Sequence, residues 1–254
     1  MPRIYQPTAL SEGQVLSLTA EGARHVQVLR MQPGQTFTVF GDPVLGGEWN
    51  ATITEMGRSH VMVQVGSHRP VEREWSVGVH LAVSMPANDR MDWLVEKATE
   101  LGVASIQPLM SERSVLRLKD ERATKKQAHW QAVAVSACEQ CGGNRVPVVH
   151  AVQTLEAWLR APQWPQGTQM AVLSLAAGSR PLPHAWADWA QGWTAQDEEP
   201  QVVLALGPEG GWSPAEEQAL LGAGAVPVSL GPRVLRSETA AVASLAMLAS
   251  LSLR

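Results

Sequence analysis

The sequence predicts an α/β protein with a mainly parallel sheet, preceded by a small β-rich unit. Short apolar runs alternate with helical patterns from Val77 onward, and strands that alternate with helices are typical of βαβ units. Residues 1–70 instead contain short segments in which apolar and polar residues alternate, as they do in half-buried strands. The polar residues 68–75, which include Pro70, separate the two patterns and are typical of a linker.

Length and composition allow one large domain or two ordinary ones, since the chain has 254 residues. The apolar fraction of 45% and the charged fraction of 17% are those of a globular protein in water. No apolar run reaches the length of about 18 residues that spans a bilayer. The first residues lack an apolar signal core. We therefore expect a cytoplasmic protein with no membrane partner.

The first unit is predicted to be a small barrel of short strands. Its predicted elements are strands at 14–18, 36–40, 48–54 and 61–65, a helix at 19–29 that Thr19 caps, and a turn at 32–35. Three basic residues of this unit, Arg24, His25 and Arg30, are close in sequence. They form either a patch that contacts phosphate or a set of scattered solvated charges.

The second pattern begins with an apolar run suited to a strand that is buried on both faces. The predicted strands are residues 77–85, 106–110, 146–149, 170–175 and 202–206, and the predicted helices are 89–101, 123–140 and 154–160. Residues 176–200, rich in Pro and Trp, are predicted to be a loop with a short surface helix. That segment ends in Asp197-Glu198-Glu199-Pro200.

Two Gly- and Pro-rich loops near the C-terminus are the best candidates for a binding site. The first is LGPEGGWS at residues 206–213, and the second is LGPRVLRSETA at residues 230–240. Each follows an apolar strand and opens a helix, and glycine lets backbone approach a ligand closely. Ser213 begins a capping box. Ser237 is expected to cap the last helix, predicted at residues 239–253.

The first loop does not match a phosphate-binding loop. Its sequence fits neither GxGxxG nor GxxxxGK[ST], it lacks Lys, and Glu209 would repel phosphate. A neutral adenosine-like group bound by backbone amides fits better. A merely structural pair of turns is the alternative.

The net charge of −4 gives no global argument for nucleic acid, so any RNA contact must use local patches. Residues 111–126 carry the densest positive charge of the chain. This segment is either a solvated helix of mixed charge or a surface that faces RNA.

Cys138 and Cys141 form a CxxC pair without a second Cys/His cluster. Two small buried residues on one helical face are favoured over a redox or metal site, so no metal is expected.

The order of several motifs resembles the RsmE family, which are bacterial 16S rRNA uridine-N3 methyltransferases of the SPOUT class. The motifs are EKATELGV at 96–103, SERS at 111–114, EQC at 139–141 and the two C-terminal loops. His25-Val26, residues 28–31 and Pro33-Gly34 resemble the PUA-like domain of that family. One departure is Gly143, where members of the family tend to carry Arg, with Arg145 two positions further on.

The resemblance implies a PUA-like RNA-binding β-barrel at residues 1–70 and a SPOUT methyltransferase domain at 75–254. The C-terminal segment is implied to form a trefoil knot, an exception to the usual absence of knots. S-adenosylmethionine is the implied cofactor, and the implied assembly is a homodimer with the last helix in its interface. The implied substrate is 16S rRNA within the small ribosomal subunit. Its target is a uridine at about position 1498, and recognition includes the shape of the RNA.

The resemblance also assigns residues to the site. The implied cofactor-binding residues are Leu175, Gly207, Pro208, Glu209, Gly210, Gly211, Leu230, Gly231, Leu235, Arg236 and Thr239. RNA binding is predicted to combine Arg24, Arg30, Arg113, Arg117, Lys119 and Arg122.

Methyl transfer needs positioning and electrostatics more than covalent help from the protein. Arg236 is therefore predicted to stabilise the anion that develops on the uracil, and Glu139 or Glu238 to accept the N3 proton. Glu238 is alternatively a partner of the helix dipole only. Glu209 is expected to bond backbone amides of its own loop.

Two other functions remain open. A SPOUT enzyme that methylates a ribose 2′-hydroxyl of tRNA or rRNA would use the same cofactor. A non-catalytic RNA-binding protein would have a degenerate knot, although both C-terminal loops are intact in this sequence.

Overall fold

The computed structural model describes residues 1–160, 164–165, 167–193 and 200–252. The chain forms two compact units, and each contains its own sheet. The first unit comprises residues 1–74 and 135–146, and the second comprises residues 75–134 and 147 onward. The acidic residues 197–199 and the predicted helix end at residue 253 lie outside the described residues.

The first unit is a five-stranded mixed sheet with one complete helix. Its elements are β1 (Arg3–Tyr5), β2 (Val15–Ser17), α1 (Ala20–Val28), β3 (Thr36–Phe40), β4 (Glu48–Met56) and β5 (Val61–Arg69). The strand order is β1-β3-β4-β5-β2, with β1 parallel to β3 and the other neighbours antiparallel. Within the described residues the pairing path ends at β1 and β2, so closure into a barrel is not confirmed. Since β5 continues to Arg69, the predicted linker begins two residues later than expected.

Alternation of buried and less buried residues along the strands explains the core of this unit. Val61, Val63 and Val65 of β5 are buried and point to one face of the sheet, where they join a cluster that includes Ile4 and Phe37. The helix α1 begins as predicted: the side chain of Thr19 accepts a hydrogen bond from the Gly22 N–H at 3.1 Å.

The second unit is an eight-stranded, entirely parallel sheet with helices between its strands. Its elements are β6 (Gly78–Ser84), α2 (Asn88–Glu100), β7 (Ser105–Met110), α3 (Asp120–Cys141), β8 (Val148–Val149), β9 (Gln153–Thr154), α4 (Leu155–Arg160), β10 (Gln169–Leu173), β11 (Arg180–Pro181), α5 (Leu182–Gly192), β12 (Gln201–Leu206), α6 (Pro214–Gly222), β13 (Val226–Ser229) and α7 (Ser237–Ser252). The order is β11-β13-β10-β12-β6-β7-β8, and β9 also pairs with β7. The last residues of α3 group with the first unit. The predicted α/β class and parallel sheet are confirmed.

The apolar strands occupy the middle of this sheet. In β12 every residue after Gln201 is buried, and continuous apolar runs are expected for parallel strands covered on both faces. Helix α2 ends at Glu100 with Leu101 as its C-cap, and Gly102 then adopts a φ of +83°, a backbone region that favours glycine at helix ends. Helix α7 packs against α2 and α5. Among the described helices, none has both the length and the apolar character needed to cross a bilayer.

The start of the last helix differs from the prediction. Ser237 is the first residue of α7 rather than its cap, and its buried hydroxyl has no hydrogen-bond partner in the described part of the chain. A residue already in helical conformation does not place its oxygen toward the free N–H groups of the first turn. The predicted capping role of Ser237 is therefore wrong.

Candidate active site

A cavity of about 420 Å³ opens beyond the carboxyl ends of β10, β12 and β13. These strands are parallel neighbours in the order β13-β10-β12, so the loops that follow them meet at one edge of the sheet. The volume lies within the range of about 300–1,000 Å³ that small-molecule sites occupy. We call these segments the β10 loop (residues 174–179), the β12 loop (residues 207–213) and the β13 loop (residues 230–236).

The β12 loop is anchored by an arginine of another segment. Arg113 Nη1 donates to the carbonyl oxygens of Gly210 at 2.8 Å and Trp212 at 3.3 Å. Within the loop, the N–H of Gly211 donates to Pro208 O at 2.8 Å, and Gly211 adopts a φ of +67°. Glycine is needed there because side chains rarely tolerate that conformation.

The start of α6 is tied to the same segment. The capping box is present as predicted, with the Ser213 side chain accepting from Glu216 N–H and Oε2 of Glu216 accepting from Ser213 N–H. The other carboxylate oxygen of Glu216 accepts from the N–H of Glu112 at 2.7 Å. One glutamate therefore joins the end of the β12 loop to the SERS motif.

Three buried serines support that motif. The hydroxyl of Ser84, at the end of β6, lies 2.5 Å from that of Ser111 and 2.8 Å from that of Ser114. Ser114 also accepts from the N–H of Ser111 at 2.8 Å. Buried hydroxyls that satisfy one another make a rigid network, so the base of the segment carrying Arg113 is well determined.

Arg90 of α2 joins the two predicted site loops. Its Nη1 donates to Oε1 of Glu209 at 2.9 Å, and its Nε lies 3.7 Å from Oε1 of Glu238. In the described residues Glu209 thus pairs with Arg90 instead of bonding amides of its own loop, because the guanidinium is within reach. That part of the prediction is wrong, and no periodicity in the sequence singles out Arg90.

A second polar pair lies on the cavity wall. Ser174 Oγ donates to Oε1 of Glu217 at 2.5 Å and accepts from the N–H of Ala176 at 3.1 Å. This pair joins the β10 loop to α6. Both Ser174 and Glu217 line the cavity.

Some buried polar atoms at the site have no hydrogen-bond partner among the described residues. They are Nε1 of Trp212, Oγ of Ser237 and Oε2 of Glu238. Trp212 and Ser237 line the cavity, and all three residues are less than a tenth exposed. Buried polar groups are rarely left unpaired, so the Trp212 and Ser237 atoms mark positions where a molecule bound in the cavity would donate or accept, whereas Glu238 is not part of the described lining.

Most of the predicted cofactor-binding residues surround the cavity. Those that line it are Leu175, Gly207, Pro208, Glu209, Gly211, Leu230, Gly231 and Leu235. Gly210, Arg236 and Thr239 are exposed and are not part of its described lining. The family resemblance also implied that the strand end at residues 173–176 completes the pocket, and these residues line the cavity. Sequence reasoning missed Trp212 and Glu217 as lining residues, because no spacing rule distinguishes them from ordinary loop and helix residues. Ser237 was noticed only as a cap.

The predicted catalytic residues lie in different surroundings. In the second unit Arg236 is exposed, whereas Glu238 is buried in the first turn of α7. In the first unit Glu139 accepts from the Tyr5 N–H at 3.1 Å through Oε1, and its Oε2 lies 2.8 Å from Nδ1 of His25. Both oxygens of Glu139 are therefore engaged within that unit.

The predicted RNA-binding residues are all exposed. Arg24 and Arg30 belong to the first unit, and Arg113, Arg117, Lys119 and Arg122 to the second. Arg113 binds loop carbonyls as described, and Arg117 Nη2 donates to Glu112 O at 2.7 Å. These two arginines thus have structural contacts that the sequence did not reveal.

The cysteines are not joined by a disulfide: Cys138 is buried and Cys141 is half-buried. The hydrogen bond with Cys141, together with burial, raises the pKa of the Cys138 thiol well above its usual range, which disfavours a reactive thiolate. Within the described ranges, no group of three or more His, Cys, Asp or Glu residues could bind a metal ion.

Comparison with known proteins identifies the family. Residues 73–249 match the family model of the RNA methyltransferase domain. Ribosomal RNA small subunit methyltransferase E of Mycobacterium bovis is 33% identical to this chain over 240 residues, which cover 92% of this chain and 85% of that protein.

Two solved structures share the whole fold. A Legionella pneumophila protein in complex with the cofactor SAM is 36% identical, with a TM-score of 0.84 and coverage of 98% of this chain and 97% of that chain. Ribosomal RNA small subunit methyltransferase E from Neisseria gonorrhoeae, bound to S-adenosyl methionine, is 33% identical, with a TM-score of 0.83 and coverage of 99% and 98%. The resemblance found in the sequence is thereby confirmed: this chain belongs to the ribosomal RNA small subunit methyltransferase E family of RNA methyltransferases.

Proposed function

We propose that this protein transfers a methyl group from S-adenosylmethionine to N3 of a uridine in the 16S rRNA of the small ribosomal subunit. The observation that carries the proposal is the cavity formed by the β10, β12 and β13 loops. Members of the same family with the same fold were solved with S-adenosylmethionine bound. The target is the uridine at about position 1498, in a structured RNA whose shape contributes to recognition.

The residues present fit this cofactor. The side chains of Leu175 and Leu235 are 68% and 36% exposed and line the cavity, so they offer apolar surface for a purine ring. The unpaired Trp212 N–H and Ser237 hydroxyl offer a donor and a donor-acceptor to its polar groups. When bound, S-adenosylmethionine supplies a methyl group activated by the positive charge on sulfur. Gly210, Arg236 and Thr239 stay predicted contacts.

Glu238 is the favoured acceptor of the N3 proton. Its Oε2 is buried and has no donor among the described residues, whereas both oxygens of Glu139 are engaged. A positioned carboxylate next to the base would remove the proton as the nucleophile forms. Arg236, exposed at the end of the β13 loop, would stabilise the negative charge that develops on the uracil carbonyls.

RNA binding is assigned to basic residues of both units. In the first unit, residues 1–70 would act as the PUA-like RNA-binding domain, with Arg24 and Arg30 at phosphates. In the second, the contacts come from Arg117, Lys119 and Arg122, which are exposed. Phosphate contacts by Arg and Lys make affinity fall steeply with salt.

The predicted SPOUT methyltransferase domain, residues 75–254, is proposed to contain a trefoil knot. Strand β13 pairs with β10 rather than with β12, the strand before it in the chain. The chain then continues into α7, which packs against β6 and β12. This path supports threading of the C-terminal segment.

The protein is proposed to act as a cytoplasmic homodimer with α7 in the interface. Ala246 of α7 is exposed, and small residues permit close packing of helices. Sedimentation of the purified protein at micromolar concentration tests the dimer.

Methylation of purified small subunits tests the function. Subunits that lack the modification are incubated with the protein and methyl-labelled S-adenosylmethionine, and nucleosides of the 16S rRNA are analysed by mass spectrometry. We expect label in 3-methyluridine. Label in a 2′-O-methylated nucleoside would replace the proposal with ribose methylation, and no label together with tight RNA binding would indicate a non-catalytic protein.

A further inference from the structure

The cavity contains a carboxylate, that of Glu217, to which the family resemblance assigns no role. Glu217 lies in the first turn of α6, where its N–H donates to Ser213 O at 2.9 Å. Negative charge is stabilised near the N-terminus of a helix. The side chain of Glu217 reaches the cavity wall, so this charge faces the space that the cofactor would fill.

Ser174 holds this carboxylate in one position. Its hydroxyl donates to Oε1 of Glu217 at 2.5 Å. Oγ of Ser174 in turn accepts from the N–H of Ala176 at 3.1 Å. The hydroxyl is therefore oriented by the backbone of the β10 loop. A side chain that is fixed before binding loses little entropy when a ligand arrives.

The carboxylate of Glu217 forms no salt bridge within the described residues. Glu209, another acidic residue of the lining, pairs with Arg90, whereas Glu217 has only a neutral hydroxyl as its recorded partner. The lining also includes the unpaired hydroxyl of Ser237, whose residue is 5% exposed. A carboxylate without a salt bridge and an unpaired buried hydroxyl in the lining of one cavity are expected of a site that binds a cation with hydrogen-bonding groups.

We infer that Glu217 binds a cationic group of S-adenosylmethionine, and that Ser174 positions its carboxylate for that contact; this inference rests on the proposed function. The cofactor carries two cationic groups, the amino acid ammonium and the sulfonium. S-adenosylhomocysteine keeps only the ammonium, and 5′-methylthioadenosine has neither. These three ligands therefore separate the two sources of positive charge.

The test is isothermal titration of the full-length protein with each ligand in the absence of RNA. The variants are Glu217→Gln, which keeps the shape and removes the charge, and Ser174→Ala. Glu156→Gln is the matched control, because Glu156 is an exposed glutamate of α4, with its side chain 74% exposed. Circular dichroism and the unfolding midpoint of each variant verify that the fold is intact.

Glu217→Gln is expected to lower the affinity for S-adenosylmethionine about tenfold, equivalent to about 1.4 kcal/mol. The affinity for 5′-methylthioadenosine should stay within about twofold of the wild-type value. If S-adenosylhomocysteine loses as much affinity as S-adenosylmethionine, Glu217 contacts the ammonium. If the affinity for S-adenosylhomocysteine is unchanged, Glu217 contacts the sulfonium. Either result supports the inference. An unchanged affinity for S-adenosylmethionine would overturn it. So would a loss as large for 5′-methylthioadenosine, since that would mean general damage to the cavity.

A double-mutant cycle isolates the role of Ser174. When Glu217 is intact, Ser174→Ala is expected to lower the affinity for S-adenosylmethionine about threefold. In the Glu217→Gln background, Ser174→Ala should not change the affinity further. Independent losses would refute positioning through Glu217. If the wild-type protein itself failed to bind S-adenosylmethionine, the proposed function would fail first. If the wild-type protein binds S-adenosylmethionine and methylates RNA, and the Glu217→Gln variant binds the cofactor equally well, only this inference would be refuted.

Discussion

Replacing Arg113 with alanine should lower the affinity for the cofactor even when no RNA is present. The side chain donates to Gly210 O at 2.8 Å and Trp212 O at 3.3 Å, which are carbonyls of the β12 loop. Only the shorter contact lies within the usual N–H···O range, and a hydrogen bond to a charged group contributes about 1.5–3 kcal/mol. Because Arg113 is exposed, solvent reduces this to about 1 kcal/mol. Since about 1.4 kcal/mol is a tenfold change in affinity, we expect a loss of roughly fivefold.

The assay is isothermal titration with S-adenosylmethionine, with small-subunit binding measured separately. Arg113→Lys should give an intermediate affinity, since a lysine can reach one carbonyl but lacks the planar fork of arginine. Arg122→Ala, an exposed arginine of the same basic segment, is the control and should leave cofactor affinity unchanged. If Arg113→Ala bound the cofactor like the wild type and lost only RNA affinity, anchoring of the β12 loop would be refuted and Arg113 would act on RNA alone.

The remaining predictions concern catalysis and pH. Arg236→Ala should lower turnover on small subunits by about 100-fold while the protein stays folded, and near-wild-type turnover would remove Arg236 from the catalytic residues. Burial raises the pKa of Glu48, but hydrogen bonds from Arg73 and Arg3 outweigh it and hold the pKa below its ordinary value of 4.5. The stability that Glu48 contributes is therefore complete above about pH 4.5 and is lost as the pH falls further; chemical denaturation of Glu48→Gln should differ from wild type at pH 7 and converge with it at low pH. Burial lowers the pKa of His80 below 6.5, so its contribution is complete above that pH and is lost during acidification; His80→Gln should show a shallower loss of stability between pH 7 and pH 5, and an unchanged slope would contradict this.

Local patterns predicted much of the fold because they depend on neighbours in sequence. The apolar run of β12, the Thr19 cap of α1 and the Ser213 capping box require only residues within a few positions of one another, and each was found where expected. Barrel closure depends on which distant strands pair, and there the expectation from strand count alone is not confirmed. The cap at Ser237 failed for a different reason, because local preference does not decide at which of two neighbouring residues α7 begins.

The sequence by itself determined the strand-loop-helix turns with Gly207, Gly211 and Gly231, because glycine permits backbone conformations that other residues rarely adopt and proline fixes φ. It also determined the family. Tertiary structure alone decided which polar side chains reach their partners. Arg90 reaches Glu209 across more than a hundred positions of chain, Ser174 reaches Glu217, and Arg113 reaches carbonyls of the β12 loop. Hydrogen bonds act over about 3 Å of space whatever the separation in sequence, so the side chains that shape the cavity emerge only when the parallel strands bring their ends together.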